Sequence, residues 1–330
     1  MQERKTTIDV IKGISVLSVI CAHCNSVSPT ANSFTTICSI IISNIGTLGV
    51  VCFFVISGYL FHTSSSFFQF VKKKLFSLII PWIIGSTVVY LYVYFRKPPM
   101  SWSGWLNFML GNGSYFYYIT VLLTLYVFFY LLPIVRSDTA LTICVAVTVV
   151  SVSFDTFHNL VQPYLNPLNW IGFFSCGMLI KKHEKALLVI CRKLYRIRWV
   201  PLLLYMTILC FQVIRGDRGS YWGMPNALFC WIGACAIAAM GATIKNNDSI
   251  IIRGITLAGK ESFFFYIWHM PVAGVITNLM NRGLLCNLVV IRPLVILLLS
   301  LILYGFSSKV FELAHMKNCS YLIGIRGSRI

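Results

Sequence analysis

The chain has 330 residues, of which 58% are hydrophobic and only 11% charged, and it carries a formal net charge of +18. A soluble domain devotes about a quarter of its residues to charge, so this composition cannot furnish a water-facing exterior and excludes a soluble globular enzyme. A nucleic-acid partner is excluded as well, because the basic residues stand in short clusters between apolar runs and not along one amphipathic surface.

Segments with the length of a bilayer crossing, about 20 residues, fall at 8–27, 35–60, 75–95, 115–135, 139–154, 167–180, 199–214, 225–244, 263–280 and 293–310. They predict an all-α fold, a polytopic transmembrane helical bundle of about ten spans. A single domain over 1–330, with its core at about 7–310, and no soluble domain is expected. The opening, Arg4 and Lys5 before an apolar stretch from Ile8, resembles a signal peptide. No small-x-small cleavage site follows near Asn25, so it is expected to stay as the first helix. With the N-terminus in the cytoplasm, 21 basic residues fall on that side and six, Arg96, Lys97, Arg215, Arg218, Arg282 and Arg292, on the other. The positive-inside rule then predicts that both termini are cytoplasmic. Of the twelve cysteines most lie inside apolar runs, where they act as small hydrophobes. Cys21 and Cys24 bracket His23 with metal-like spacing, but no second pair matches it, and no metal site is expected.

Ionisable groups within spans are costly and mark functional candidates. In the first span Asp9, Lys12 and His23 are offset by three and eleven residues, and eleven residues come within about 20° of three full turns, so all three share one helix face. Lys12 and His23 are about 16 Å apart along the axis, which puts Lys12 near the surface and His23 well inside the membrane. Lys12 snorkelling to the headgroups and His23 bonded to a neighbouring helix is the structural alternative. A buried neutral imidazole is also suited to take a proton from a hydroxyl. Ser57 and Gly58 close the second span, where small residues let helices approach. Lys72, Lys73 and Lys74 stand before the third span, as orientation signals, anionic-lipid contacts or phosphate ligands. Ser262, Tyr266 and His269 form a polar stripe in an aromatic helix that Pro271 should kink.

Together these residues resemble the acyltransferase-3 family of bacterial membrane O-acyltransferases. Lys12 and His23 match its basic residue, ten others and a histidine; Phe53 to Leu60 match Phe-Phe-x-x-Ser-Gly-Tyr/Phe-Leu; Lys74 and Pro81 match its basic stretch before a proline; Ser262, Tyr266 and His269 match a late Ser-x-x-x-Tyr-x-x-His. The order agrees, from about Thr7 to Lys309. Lysine replaces a common arginine at Lys12, Ser77 stands where a second basic residue is usual, Val51 where an acidic one often precedes the Phe-Phe segment, and Tyr117 and Tyr118 where a Trp-Phe/Tyr pair is common.

The resemblance implies transfer of acetyl, or another short acyl group, from acyl-CoA (acetyl-CoA) to a hydroxyl of an envelope or secreted polysaccharide or lipid-linked glycan, in the bacterial cytoplasmic (inner) membrane. The acceptor types it suggests include O-antigen, exopolysaccharide and enterobacterial common antigen. Lys12 and Lys72 to Lys74 would hold the CoA phosphates, and His23, Lys12 and His269 would be the catalytic residues, with His23 the general base, or a relay for the acyl group if the acceptor is met outside. Asp9, Ser57, Ser262 and Tyr266 would line the pore. No permanently bound cofactor is expected; acyl-CoA, the carbohydrate and membrane lipid are the partners. The competing class is a transporter or flippase for a glycan or lipid-linked sugar, since a ten-span bundle with buried His and Lys suits a proton-coupled carrier.

Overall fold

A backbone N–H or C=O left unpaired in hydrocarbon costs several kcal/mol, and a helix satisfies these groups within its own segment. The computed structural model follows this rule. It describes residues 2–28, 31–63, 66–95, 100–154, 162–193, 199–243, 249–281, 285 and 287–326. Arg96, Lys97, Arg282, Arg329, the end of the basic run at 194–198, and the side chains of Arg4 and Lys5 lie outside the described residues.

Among the described residues the α-helices are α1 (Gln2–His23), α2 (Ser33–Gly46), α3 (Leu48–Tyr59), α4 (Phe67–Lys74), α5 (Ile80–Tyr94), α6 (Trp102–Leu110), α7 (Tyr117–Leu131), α8 (Asp138–Ser153), α9 (Leu168–Lys182), α10 (Glu184–Lys193), α11 (Val200–Arg215), α12 (Met224–Thr243), α13 (Ile250–Lys260), α14 (Ser262–Met280) and α15 (Arg292–Leu313), followed by a short 3-10 helix at Lys317–Ile323. Local chemistry sets their ends. The side chains of Asn32, Ser66, Ser101 and Ser137 each accept the backbone N–H three residues on, capping α2, α4, α6 and α8. Gly111 and Gly216 close α6 and α11 in the left-handed region, at φ 94° and 73°.

Among the described residues five helical stretches are long and apolar enough to cross a membrane: Thr6–His23, Ser33–Tyr59, Phe67–Tyr94, Ser262–Met280 and Arg292–Leu313. Four shorter apolar helices, Tyr117–Leu131, Asp138–Ser153, Val200–Arg215 and Met224–Ala239, and the 15-residue α9 fall on the remaining expected segments. The second span is broken at Thr47 into α2 and α3 and is the most interior, with 83% of its window buried, whereas α15 lies at the periphery with 11%. Ahead of the third span, α4 runs through a π-helical turn at Leu75–Ile79, where the Ile80 N–H donates to the Leu75 carbonyl five residues back, into α5 with Pro81 in its first turn, a position that needs no N–H. Lys72 to Lys74 therefore sit within a continuous helical path from Phe67 to Tyr94, and not ahead of a helix start as the sequence suggested.

Apolar side chains gain nothing from meeting each other instead of lipid, so helix association rests on close packing. Two crossings show this. A Cβ on Gly58 would lie 1.9 Å from the Phe174 carbonyl oxygen, and one on Gly177 would lie 1.9 Å from that of Val55, so α3 and α9 touch backbone to backbone. At α1, a Cβ on Gly259 would meet the Asp9 carbonyl oxygen at 1.6 Å and one on Gly13 that of Ile255 at 2.0 Å. That pairing makes α13 antiparallel to α1. Aromatic rings fill the remaining space: Phe54 stacks on Trp170 at 5.0 Å and Phe129 on Phe174 at 5.2 Å.

The same substitution should act with opposite sign at two glycines. Gly177→Ala is expected to lower thermal stability in detergent, since overpacking costs about 1–3 kcal/mol. Gly274→Ala, with no atom within 4 Å of the added carbon, should leave it equal or raise it, because alanine is the better helix former. Equal shifts in a thermal-unfolding assay would show that α3 and α9 do not meet at Gly177.

Candidate active site

The last residue of α1 is His23, and its imidazole centroid lies 5.3 Å from that of His269 in the middle of α14. Tyr115, just before α7, closes the group, 6.3 Å from His23 and 5.3 Å from His269. His269 is buried at 1% exposure, whereas His23 is exposed. The helix ends at His23, short of the apolar segment's end at 27, and places this ring on the more accessible side of the pair.

Hydrogen bonding settles the tautomer of His269. Its Nδ1 lies 3.0 Å from the Phe265 carbonyl oxygen and 2.8 Å from that of Tyr266. A carbonyl only accepts, so Nδ1 carries the proton. Nε2 of the neutral ring is then an acceptor, and it is buried without a hydrogen-bond partner. Unpaired buried polar atoms are rare and costly. Here the neighbour across the gap is another imidazole.

Two tyrosines hold α14 against the start of α7. The Tyr266 hydroxyl donates to the Tyr115 carbonyl oxygen, and the Tyr115 hydroxyl donates to that of Ile267 at 2.6 Å. Tyr266 is expected from the sequence as a pore-lining group; its ring is buried and its hydroxyl proton is committed to the backbone. Ser262, at the first turn of α14, is half-buried. Beyond Tyr266 an aromatic wall continues through Tyr118, at 5.3 Å, whose hydroxyl is 3.2 Å from Ser57 Oγ.

The wall ends at Tyr126 with a cation. Lys74 Nζ stands 3.6 Å from the Tyr126 ring centroid and 5.5 Å from that of Phe70, a cation–π arrangement. Lys72 and Lys73 are exposed. Of the three lysines, Lys74 is the one that turns into the bundle.

Asp9 and Lys12 are buried at 4% and 7% exposure, eleven residues or more from His23 along α1. Arg326, beyond the last span, is close enough to act electrostatically on Lys12, and Glu261, between α13 and α14, lies within reach of the charges of Asp9 and Arg326. Burial pushes the Glu261 carboxyl above its ordinary range, opposed by a hydrogen bond from the Arg326 backbone N–H at 2.8 Å. Sequence reasoning missed Tyr115, Tyr126, Glu261 and Arg326. The run Tyr115 to Tyr118 carries a weak signal for the first; nothing periodic marks the other three.

Arg292, counted on the extracytoplasmic side from sequence, is fully buried. Nη1 donates to the Ser26 carbonyl oxygen at 2.5 Å and Nη2 to that of Met280 at 3.2 Å. It thereby ties the exit of α1 to the end of α14, the two helices that carry the histidines.

A basic residue and a histidine eleven apart on one helix, a second histidine on a facing helix and a flanking aromatic wall are the features of the candidate site. The chain matches the family model described as an acyltransferase domain, that of the acyltransferase-3 family, over residues 5–308. No curated protein and no solved structure gives a match. With nearly its whole length matched, on an all-α membrane bundle, the chain belongs to the acyltransferase-3 family of membrane acyltransferases.

Proposed function

We propose that this acyltransferase moves an acyl group, by default acetyl, from acyl-CoA to a hydroxyl of a cell-envelope or secreted polysaccharide or glycolipid. It does so in the bacterial cytoplasmic membrane with both termini in the cytoplasm. The observation that carries the reading is the pair of imidazoles 5.3 Å apart, one exposed and one buried with a free acceptor nitrogen.

The donor lies with its phosphates at Lys12 and Lys72 to Lys74 and its thioester toward His23, about 16 Å along the α1 axis from Lys12. Lys74, held over Tyr126, marks the inner end of this basic group. The acceptor hydroxyl gives its proton to His23 while its oxygen attacks the thioester carbonyl carbon. The carbon–sulfur bond then breaks and the proton passes to the departing thiolate. One ester and one thiol result, and the imidazole returns to its neutral form. Two imidazoles that share one N–H···N bond have centroids roughly 5 Å apart, so His269 Nε2 can accept from the second nitrogen of His23. That bond fixes the base's tautomer and steadies the cation formed during transfer. Asp9, Ser57, Ser262 and Tyr266 shape the path around the donor.

Replacing His23 separates chemistry from packing, because glutamine keeps polarity but accepts no proton at neutral pH. His23→Gln should lower glycan acylation about 10²–10⁴-fold at normal membrane abundance and normal acyl-CoA affinity. Acylation within a few fold of the parent, measured by mass analysis of envelope glycans, would reject the role.

Charge removal probes the donor end. Replacing Lys72, Lys73 and Lys74 together by glutamine should weaken acyl-CoA binding to the purified protein, as each basic residue near the membrane surface contributes about 1 kcal/mol toward an anion. Unchanged affinity by titration calorimetry would assign the three to orientation alone. Reporter fusions after Ile330 and within 181–198 should both read cytoplasmic, and a periplasmic signal from either overturns the orientation.

A further inference from the structure

The segment after α15 lies outside the residues matched to the family, which end at 308. Lys309 and Lys317 both pair with Glu312, at 2.9 and 2.8 Å, across a turn at His315 with φ 55°. The 3-10 helix Lys317–Ile323 then folds back under the bundle. Tyr321 packs on Phe76 at 5.8 Å, the Trp268 indole N–H donates to the Ile323 carbonyl oxygen at 2.9 Å, and Ile325 is buried. Gly324, at φ 86°, turns the chain against Phe264; a Cβ there would sit 3.2 Å from the Phe264 Cα. Glu261 then accepts the Arg326 backbone N–H at 2.8 Å. These contacts bring one exposed arginine beside Glu261, two residues beyond Gly259, where a Cβ would lie 2.9 Å from the backbone nitrogen of Gly13, next to Lys12.

The Lys12 side chain is nine-tenths buried, and its nitrogen is not among the fully buried polar atoms left without a partner. Holding such a cation largely out of water is costly unless it is paired, and a neighbouring guanidinium adds to the cost. Asp9 is close by and compensates in part, while the Glu261 Oε2 is engaged by the Arg326 backbone. An anion seated between the ammonium and the guanidinium would complete the arrangement.

We propose that Arg326, presented by the folded-back C-terminal segment, is a donor-binding residue that forms with Lys12 a two-cation seat for the phosphates of the acyl donor. This rests on the acyl-CoA reading above and deepens it. The guanidinium supplies the forked donor geometry suited to phosphate that a lysine lacks, and supplies it from beyond the last span. The seat recognises the phosphate end and makes no contact with the reacting carbonyl.

The test uses the purified full-length protein in nanodiscs with coenzyme A as the probe, titrated calorimetrically. Arg326→Gln should weaken coenzyme A binding about tenfold, the loss of one charge-assisted contact. Arg326→Lys should recover most of it. Binding of pantetheine, which has no phosphate, should change less than twofold, an outcome that a merely disordered tail would not produce. Coenzyme A affinity unchanged in Arg326→Gln overturns this inference and leaves the donor reading intact. Equal losses for coenzyme A and pantetheine also overturn it, by showing that the tail supports the fold and not the phosphates. No coenzyme A binding by the unmodified protein overturns the donor reading and this inference together.

Discussion

Because hydrocarbon supplies no hydrogen bonds, each polar group of this chain must find a partner inside the bundle or at a wet surface. Many do so locally. Ser15, Ser300 and Thr207 donate to the carbonyl four residues back in their own helices. Others join helices: Ser18 donates to the Ile45 carbonyl oxygen at 2.6 Å, and Asn44 to that of Asp217 at 2.9 Å. Against that background, the few polar groups left incompletely satisfied stand out. His269 Nε2 is one of them, and it lies on the path proposed for acyl transfer.

The first helix organises that path. It packs against α2, α3, α12, α13, α14 and α15, a position made possible where Gly13 and Gly259 let α1 and α13 approach at backbone distance. Its N-terminal half presents Asp9 and Lys12 to Glu261 and Arg326, and its last residue presents His23 to His269. One rigid rod therefore spaces the cationic end from the imidazole pair. A change at either glycine would move both ends of the site relative to α14.

Buried charge has a second use at Arg292. A guanidinium near the ends of two helices is favoured by their carbonyl dipoles, and here it bridges the chain just after α1 to the last residue of α14. The reciprocal bonds of Tyr115 and Tyr266 brace α14 from the α7 side. The histidine spacing thus depends on three supports from three different parts of the chain. The π-turn at Leu75–Ile79 performs a comparable service for Lys74, since the turn that accommodates Pro81 sets the direction in which α4 meets Tyr126.

Hydropathy runs located the helices that span the bundle, because burial in lipid selects apolar residues along every crossing regardless of its neighbours. The eleven-residue offset likewise placed Lys12 and His23 on one face, since helical periodicity is a property of a single segment. What lies between segments was not legible. The meeting of His23 with His269, and the inward turn of Lys74 while Lys72 and Lys73 face out, depend on crossings set by backbone contact at glycines. Burial of Arg292, which the positive-inside count treats as a loop charge, depends on two carbonyls from distant helices. The placing of Arg326 on Glu261 depends on a tail folding back after the last span. Composition and period report one helix at a time, whereas a contact between helices is decided by packing, so the tertiary structure alone could bring these groups together.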